Sequence, residues 1–198
     1  KTVADLLYMV EQGKVNRPGS DGLSDNEKSF AIGALGSIGQ PGTEADPTAV
    51  VDLLIKISEP KKSKFATNMR RSAAIALGQI APQADTKVQA KIVKALKAVA
   101  LNGKDSSECN FAMVALGRIG GTNGIDAATR EDTVKTLKFL LVKAKPASIK
   151  HPFAALSLGL IGRQIVSEGG SAPEEEIRKP LRDKFAAGGA PRPRAAYA

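Results

Sequence analysis

A Leu-Gly pair returns four times along the chain, as Leu35-Gly36, Leu77-Gly78, Leu116-Gly117 and Leu158-Gly159, at spacings of 42, 39 and 42 residues. Self-similarity at a period of about 20–50 residues marks an architecture of stacked units, none of which can bury its apolar face alone. The flanking columns repeat with it. Ala31, Ala73, Ala112 and Ala154 stand four residues before each Leu, and Ile38, Ile80, Ile119 and Ile161 stand three after it. These offsets share one helical face, with Ala34, Ala76, Ala115 and Ser157 beside it. A glycine inside a helix costs about 1 kcal/mol relative to alanine. Its repetition points to a place where the neighbouring backbone comes too close for a Cβ.

A second amphipathic helix follows each first one. VADLLYMV from Val3, VVDLLIKI from Val50, IVKALKAV from Ile92 and TVKTLKFL from Thr133 align without gaps. Each keeps apolar residues at helical spacing. The pattern predicts a leading second-type helix near 2–13 and then four helix pairs near 24–60, 64–102, 106–145 and 149–187. Starts are marked by Asp46 before Pro47, and by the capping-box pairs Ser24 with Glu27 and Ser171 with Glu174. Gly39, Gly120 and Gly162 suit left-handed residues that end the first-type helices, with Pro82 after Ala81 doing so in the second pair. Pro180 would kink the last helix. The expected organisation is one all-α, right-handed solenoid over residues 1–187, with about four pairs and a leading half-repeat. Residues 188–198 are expected to form a flexible tail rich in Gly, Pro, Arg and Ala.

The stretch RRSAAIALGQIA from Arg70, with its Arg, paired alanines and Leu-Gly-x-Ile, resembles the HEAT and HEAT-like repeats of the phycobilin-lyase type, in the armadillo-like class of folds. The resemblance covers nearly all of residues 1–187. It implies that the second-type helices line the concave side, where partners of such repeats bind. It says little about function, because the same fold hosts scaffolds, adaptors and a few enzymes.

The net charge of +9 is unevenly distributed. Residues 1–60 carry 5 Lys and Arg against 9 Asp and Glu, whereas the rest carry 24 against 11. Along the second-type helices one column reads Asp5, Asp52, Lys94, Lys135 and then Arg178, and three positions on it reads Tyr8, Ile55, Lys97 and Lys138. Stacking would gather Lys94, Lys97, Lys135 and Lys138 into a cluster continued by Arg178. That cluster is the expected binding surface for a protein partner with an acidic segment. The alternative is non-specific binding of nucleic-acid phosphates, for which Lys61, Lys62, Lys64, Arg70 and Arg71 supply a run without an acid. Reading bases would need exposed aromatics, and Phe30, Phe111 and Phe153 fall in one column that looks like core.

Catalytic chemistry finds little support. The single histidine, His151, excludes a multi-histidine metal site, and it precedes Pro152 at a helix start, where a structural role is expected. The one cysteine, Cys109, lies in an apolar helical pattern and reads as a small buried residue. No phosphate-binding glycine loop occurs, GALGSIG from Gly33 belongs to the helix column, and the run Glu174 to Glu176 complements a helix N-terminus. The expectation is a non-enzymatic scaffold without cofactor or metal. The chain starts inside an amphipathic pattern, as a processed or partial chain would. It carries no basic-then-apolar leader, which slightly favours the cytoplasm.

Overall fold

A computed structural model describes residues 2–15, 22–38, 47–60, 64–123, 125–143 and 150–187. The expected N-cap Asp46, the expected helix end Gly39, Lys61, Lys62 and the expected tail 188–198 lie outside these residues. Among the described residues there are nine α-helices and no strand. They are α1 (Val3–Gln12), α2 (Asp25–Ile38), α3 (Pro47–Ser58), α4 (Thr67–Ile80), α5 (Thr86–Asn102), α6 (Ser106–Gly120), α7 (Ala127–Lys143), α8 (Lys150–Ser167) and α9 (Lys179–Ala186). The even-numbered helices are the first type. They form one layer in which α2 packs on α4, α4 on α6 and α6 on α8, and the odd-numbered helices form the other layer.

Packing follows the columns. Leu35, Leu77, Leu116 and Leu158 are fully buried, as are Ala73, Ala112 and Ala154, with Ala31 nearly so. In the second layer Val50, Ile92 and Thr133, then Leu54, Leu96 and Leu137, then Ile57, Val99 and Leu140 are buried in register. A Cβ placed on Gly36 would lie 2.6 Å from the Ala76 Cα, one on Gly78 2.7 Å from the Ala115 Cβ, and one on Gly117 2.7 Å from the Ser157 Cα. Such distances do not occur between real side chains, so the absence of a Cβ sets the spacing of the first-type layer. Each contact runs from the glycine of one unit to the residue just before the Leu of the next. The second-type helices touch one another much less closely.

Helix starts are set by side chains that satisfy otherwise orphaned amide groups. The Ser24 box forms: the Ser24 amide donates to Glu27 Oε2 at 2.8 Å and the Glu27 amide to Ser24 Oγ at 3.3 Å. A second box that the sequence reading passed over, Thr2 with Asp5, opens α1. Asp85, Asp105 and Asp126 accept from the first-turn amides of α5, α6 and α7.

Local expectations about the glycines and the phenylalanines are corrected. Gly120 and Gly162 lie within helices and take no left-handed conformation; among the described residues the positive-φ glycines are Gly13 and Gly169. Gly120 is instead another close approach, since a Cβ there would meet Ile161 Cδ1 at 2.7 Å. The last helix is irregular ahead of Pro180. A π-helical turn, Glu174–Arg178, precedes it, and Pro180 falls in the first turn of α9, where its missing amide costs nothing. The carbonyl that opens this turn is that of Pro173, accepting from Ile177 and Arg178 at 3.0 and 3.1 Å; the expected box of Ser171 with Glu174 lies outside the described side chains. Finally, the phenylalanine column is core in only one of its three members: Phe30 is 78% exposed and Phe111 38%, whereas Phe153 is partly buried against the core. An aromatic one position before the buried Ala points to the rim of the helix interface.

Candidate functional site

The second-type face brings the expected lysines onto neighbouring helices, Lys94 and Lys97 on α5 and Lys135 and Lys138 on α7. Their surroundings differ. Lys97 Nζ donates to both carboxylate oxygens of Asp132 at 2.6 and 2.7 Å, which ties α5 to α7. Lys135 pairs with Glu131 one turn earlier on its own helix, and that carboxylate holds its ammonium above the ordinary lysine range. Lys91 of α5 is likewise paired with Asp52 of α3. Lys94 and Lys138 carry no ion pair among the described residues. Arg178 is exposed at the end of the π-helical turn. Such a turn holds more residues than an α-turn, so the straight column alignment does not carry through to it. The four-lysine cluster is therefore a mixed ladder in which alternating acids neutralise two members.

Both uncompensated lysines stand at the lip of an apolar slot. Lys94 and Lys91 line a slot of about 290 Å³ together with the apolar Ile55, Pro60, Ala95 and Ala98 and with Ser58 and Glu59. Lys138 lines another of about 340 Å³ together with Leu141, Val142 and Pro180 and with the charged residues Glu175, Lys179, Asp183 and Lys184. Beside Lys138 two large apolar side chains of α7 are half exposed, Phe139 at 54% and Val142 at 51%. Sequence reasoning passed over them, although a signal was present. Within TVKTLKFLLV the buried set is Val134, Leu137, Leu140 and Leu141, and Phe139 and Val142 are apolar residues out of phase with it.

The arginines assigned to the phosphate-binding alternative are engaged within the stack. Arg70 Nε donates to Glu108 Oε2 at 3.1 Å and its Nη1 to the Phe65 carbonyl at 2.8 Å. Arg71 donates through Nε and Nη2 to the two oxygens of Asp105 at 3.1 and 3.0 Å. That two-pronged contact keeps the Asp105 carboxyl below the usual aspartate range. Both acids belong to the next unit, so these arginines clamp α4 to the start of α6. Arg130 repeats the device one unit later, holding Glu168 at 2.8 and 3.0 Å. Lys64 is exposed.

Cys109 is buried, its thiol facing the carbonyls of Val99 and Gly103, and burial pushes its pKa up, away from a reactive thiolate. His151 is 3% exposed, and Lys184 of α9 donates to its Nε2 at 3.4 Å, so it fastens the last helix to α8. Among the described residues no three His, Cys, Asp or Glu side chains are grouped to hold a metal ion. Among the same residues no helix is long and apolar enough to cross a membrane.

No family model matches the chain and no curated protein matches it, so the HEAT-type resemblance rests on the sequence columns alone. Solved structures do resemble it. A designed armadillo repeat protein is 18% identical at a TM-score of 0.46, with 97% of this chain and 86% of that one covered. The crystal structure of an engineered protein from a structural genomics consortium is 20% identical at a TM-score of 0.51, covering 94% of this chain and 68% of its own. At that identity the likeness extends to the fold, and with the two stacked helical layers it identifies the chain as an all-helical α-solenoid.

Proposed function

We propose that this solenoid is a non-enzymatic interaction scaffold, and that its second-type face binds a protein segment in which acidic residues alternate with apolar ones. The observation that carries this reading is the pairing of Lys94 and Lys138, each without an ion pair among the described residues, with an apolar slot at its side. A slot alone would take any greasy side chain and a lysine alone any anion. Together they select a ligand that offers both, and charge complementarity governs its approach and register. Phe139 and Val142 extend the apolar contact. The HEAT resemblance, which assigns this face to the concave side, agrees with the placement. The phosphate-binding alternative loses Arg70 and Arg71 to their ion pairs.

The test is a binding titration against synthetic Glu- and Asp-rich peptides carrying Leu and Phe, with duplex and single-stranded DNA run alongside over a salt series. The double reversal of Lys94 and Lys138 to Glu should weaken peptide binding by about tenfold or more, a change of about 1.4 kcal/mol. The same reversal at Lys61 and Lys62 should leave it unchanged. Equal losses at the two places, or DNA bound more tightly than every peptide, would overturn the assignment of this face.

A further inference from the structure

A groove of about 570 Å³ crosses α4, α6 and α8 in the first-type layer, and it shares no lining residue with the slots beside Lys94 and Lys138. Arg118 and Arg163 line it, and no acidic residue does. Both arginines are exposed. Neither makes an ion pair among the described residues, whereas Arg70, Arg71 and Arg130 are each clamped to an acid. Glu168, which accepts from Gln164 of the lining at 3.3 Å, is already held by Arg130. A second observation belongs to the same groove. Gln79 lines it, and the Gln79 Oε1 is buried over Gly36 with no hydrogen-bond partner among the described residues. Buried acceptors are nearly always satisfied, and this one can turn toward an incoming donor without giving up a bond.

We infer that the first-type layer carries a second docking site, which takes an extended protein segment with two acidic side chains one residue apart, flanked by large apolar ones. Arg118 on α6 and Arg163 on α8 supply the partners for the two carboxylates. The apolar part follows from what stands one turn before the groove. On each of the three helices an exposed apolar side chain precedes a lining residue: Ile75 before Gln79, Phe111 before Val114 and Leu156 before Leu160. Three neighbouring helices thus present an apolar half beside a cationic half.

A main chain fits this groove better than a bare anion. The groove reaches the C-terminal turns of α4 and α6, which carry partial negative charge and oppose a phosphate lying against them. A peptide brings N–H donors for such acceptors and for Gln79, and phosphate brings none. The dimensions agree. Helix axes packed about 8–10 Å apart make a three-helix groove about 16–20 Å across, which five or six residues of extended chain span at about 3.3 Å each. Alternate side chains of that chain fall on one side, so acids one residue apart face the arginines together. The chain's own residues 188–198 carry Arg192 and Arg194 and no acidic side chain, and so do not complement the groove.

The test uses the full chain, labelled with ¹⁵N for NMR, and a short synthetic peptide with two Glu separated by Val and flanked by Leu and Phe. Addition of the peptide should shift the amide resonances of Gln79, Arg118, Thr122 and Arg163. Changing both Arg118 and Arg163 to Gln, at exposed positions that leave the fold in place, should weaken that titration by about tenfold or more. Reversing Lys94 and Lys138 to Glu should leave it unchanged, so that each face is read separately. The same peptide N-methylated along its main chain should bind more weakly. Shifts confined to α5 and α7 would overturn the inference while leaving the lysine face in place. So would inorganic phosphate that moved the groove amides as strongly as the peptide does. Binding that appeared only after Glu44 and Asp46 were changed to Gln and Asn would also overturn it, because acids of this chain would then be the occupant.

Discussion

Whether a glycine in this chain can be replaced depends on what stands over it. At Gly117 an alanine Cβ would reach 2.7 Å from the Ser157 Cα, which is backbone and cannot swing aside, whereas at Gly33 nothing lies within 4 Å among the described residues. One chemical change should therefore have opposite signs. Gly117→Ala overpacks the stack and should cost about 1–3 kcal/mol. Gly33→Ala gains helix propensity and should add about 0.5–1 kcal/mol. Urea denaturation of the two variants measures both, and a shift in the same direction would show that the columns do not set the spacing. The Leu-Gly columns were legible in the sequence because a contact made three times must leave a periodic trace. The rim position of Phe30 was not, since an aromatic in an apolar pattern looks the same whether it fills a core or borders one.

Between elements, ion pairs across units do what the glycines do within the first-type layer. Glu108 is 1% exposed and Arg70 is mostly covered. Removing the acid leaves a guanidinium short of water and of its partner, so Glu108→Ala should lower stability by about 3 kcal/mol, while a joint change of Arg70 and Glu108 to Met should recover most of that loss. Thermal or urea unfolding of the single and double variants decides the matter. Asp105 gives a pH dependence. Its carboxyl is held below the ordinary range by the Arg71 hydrogen bonds and by the amide that it caps. A depressed folded-state pKa contributes stability that is present above the unfolded value of about 3.9 and is lost as pH falls through the folded one. Asp105→Asn should therefore be less stable than the parent at neutral pH, and the gap in melting temperature should close on acidification below about pH 4. These pairs were not legible. Each joins residues 34 or 38 apart in sequence, and a list of charges does not reveal the phase at which one helix meets the next. The same ignorance of phase made four lysines look like one cluster, when Asp132 and Glu131 had already claimed Lys97 and Lys135.

In the molecule as a whole, contacts run from each unit to its neighbours, as expected of a quasi-one-dimensional array. A local defect should therefore stay local. In Gly117→Ala, amide hydrogen exchange in α8 and α9 should accelerate while α2 and α3 keep their protection, and uniform acceleration throughout would show a globally cooperative core instead. The difference between the two layers has a mechanical meaning. One is joined backbone to backbone, through Gly36, Gly78 and Gly117, and the other is bridged by half-exposed side-chain pairs such as Lys91 with Asp52 and Lys97 with Asp132. Exposed pairs are worth about 1 kcal/mol or less and weaken with salt. The array should behave like a book with a stiff spine and loosely clasped pages, so that a ligand, or a change in ionic strength, fans the second-type helices apart or draws them together without altering the binding at the spine.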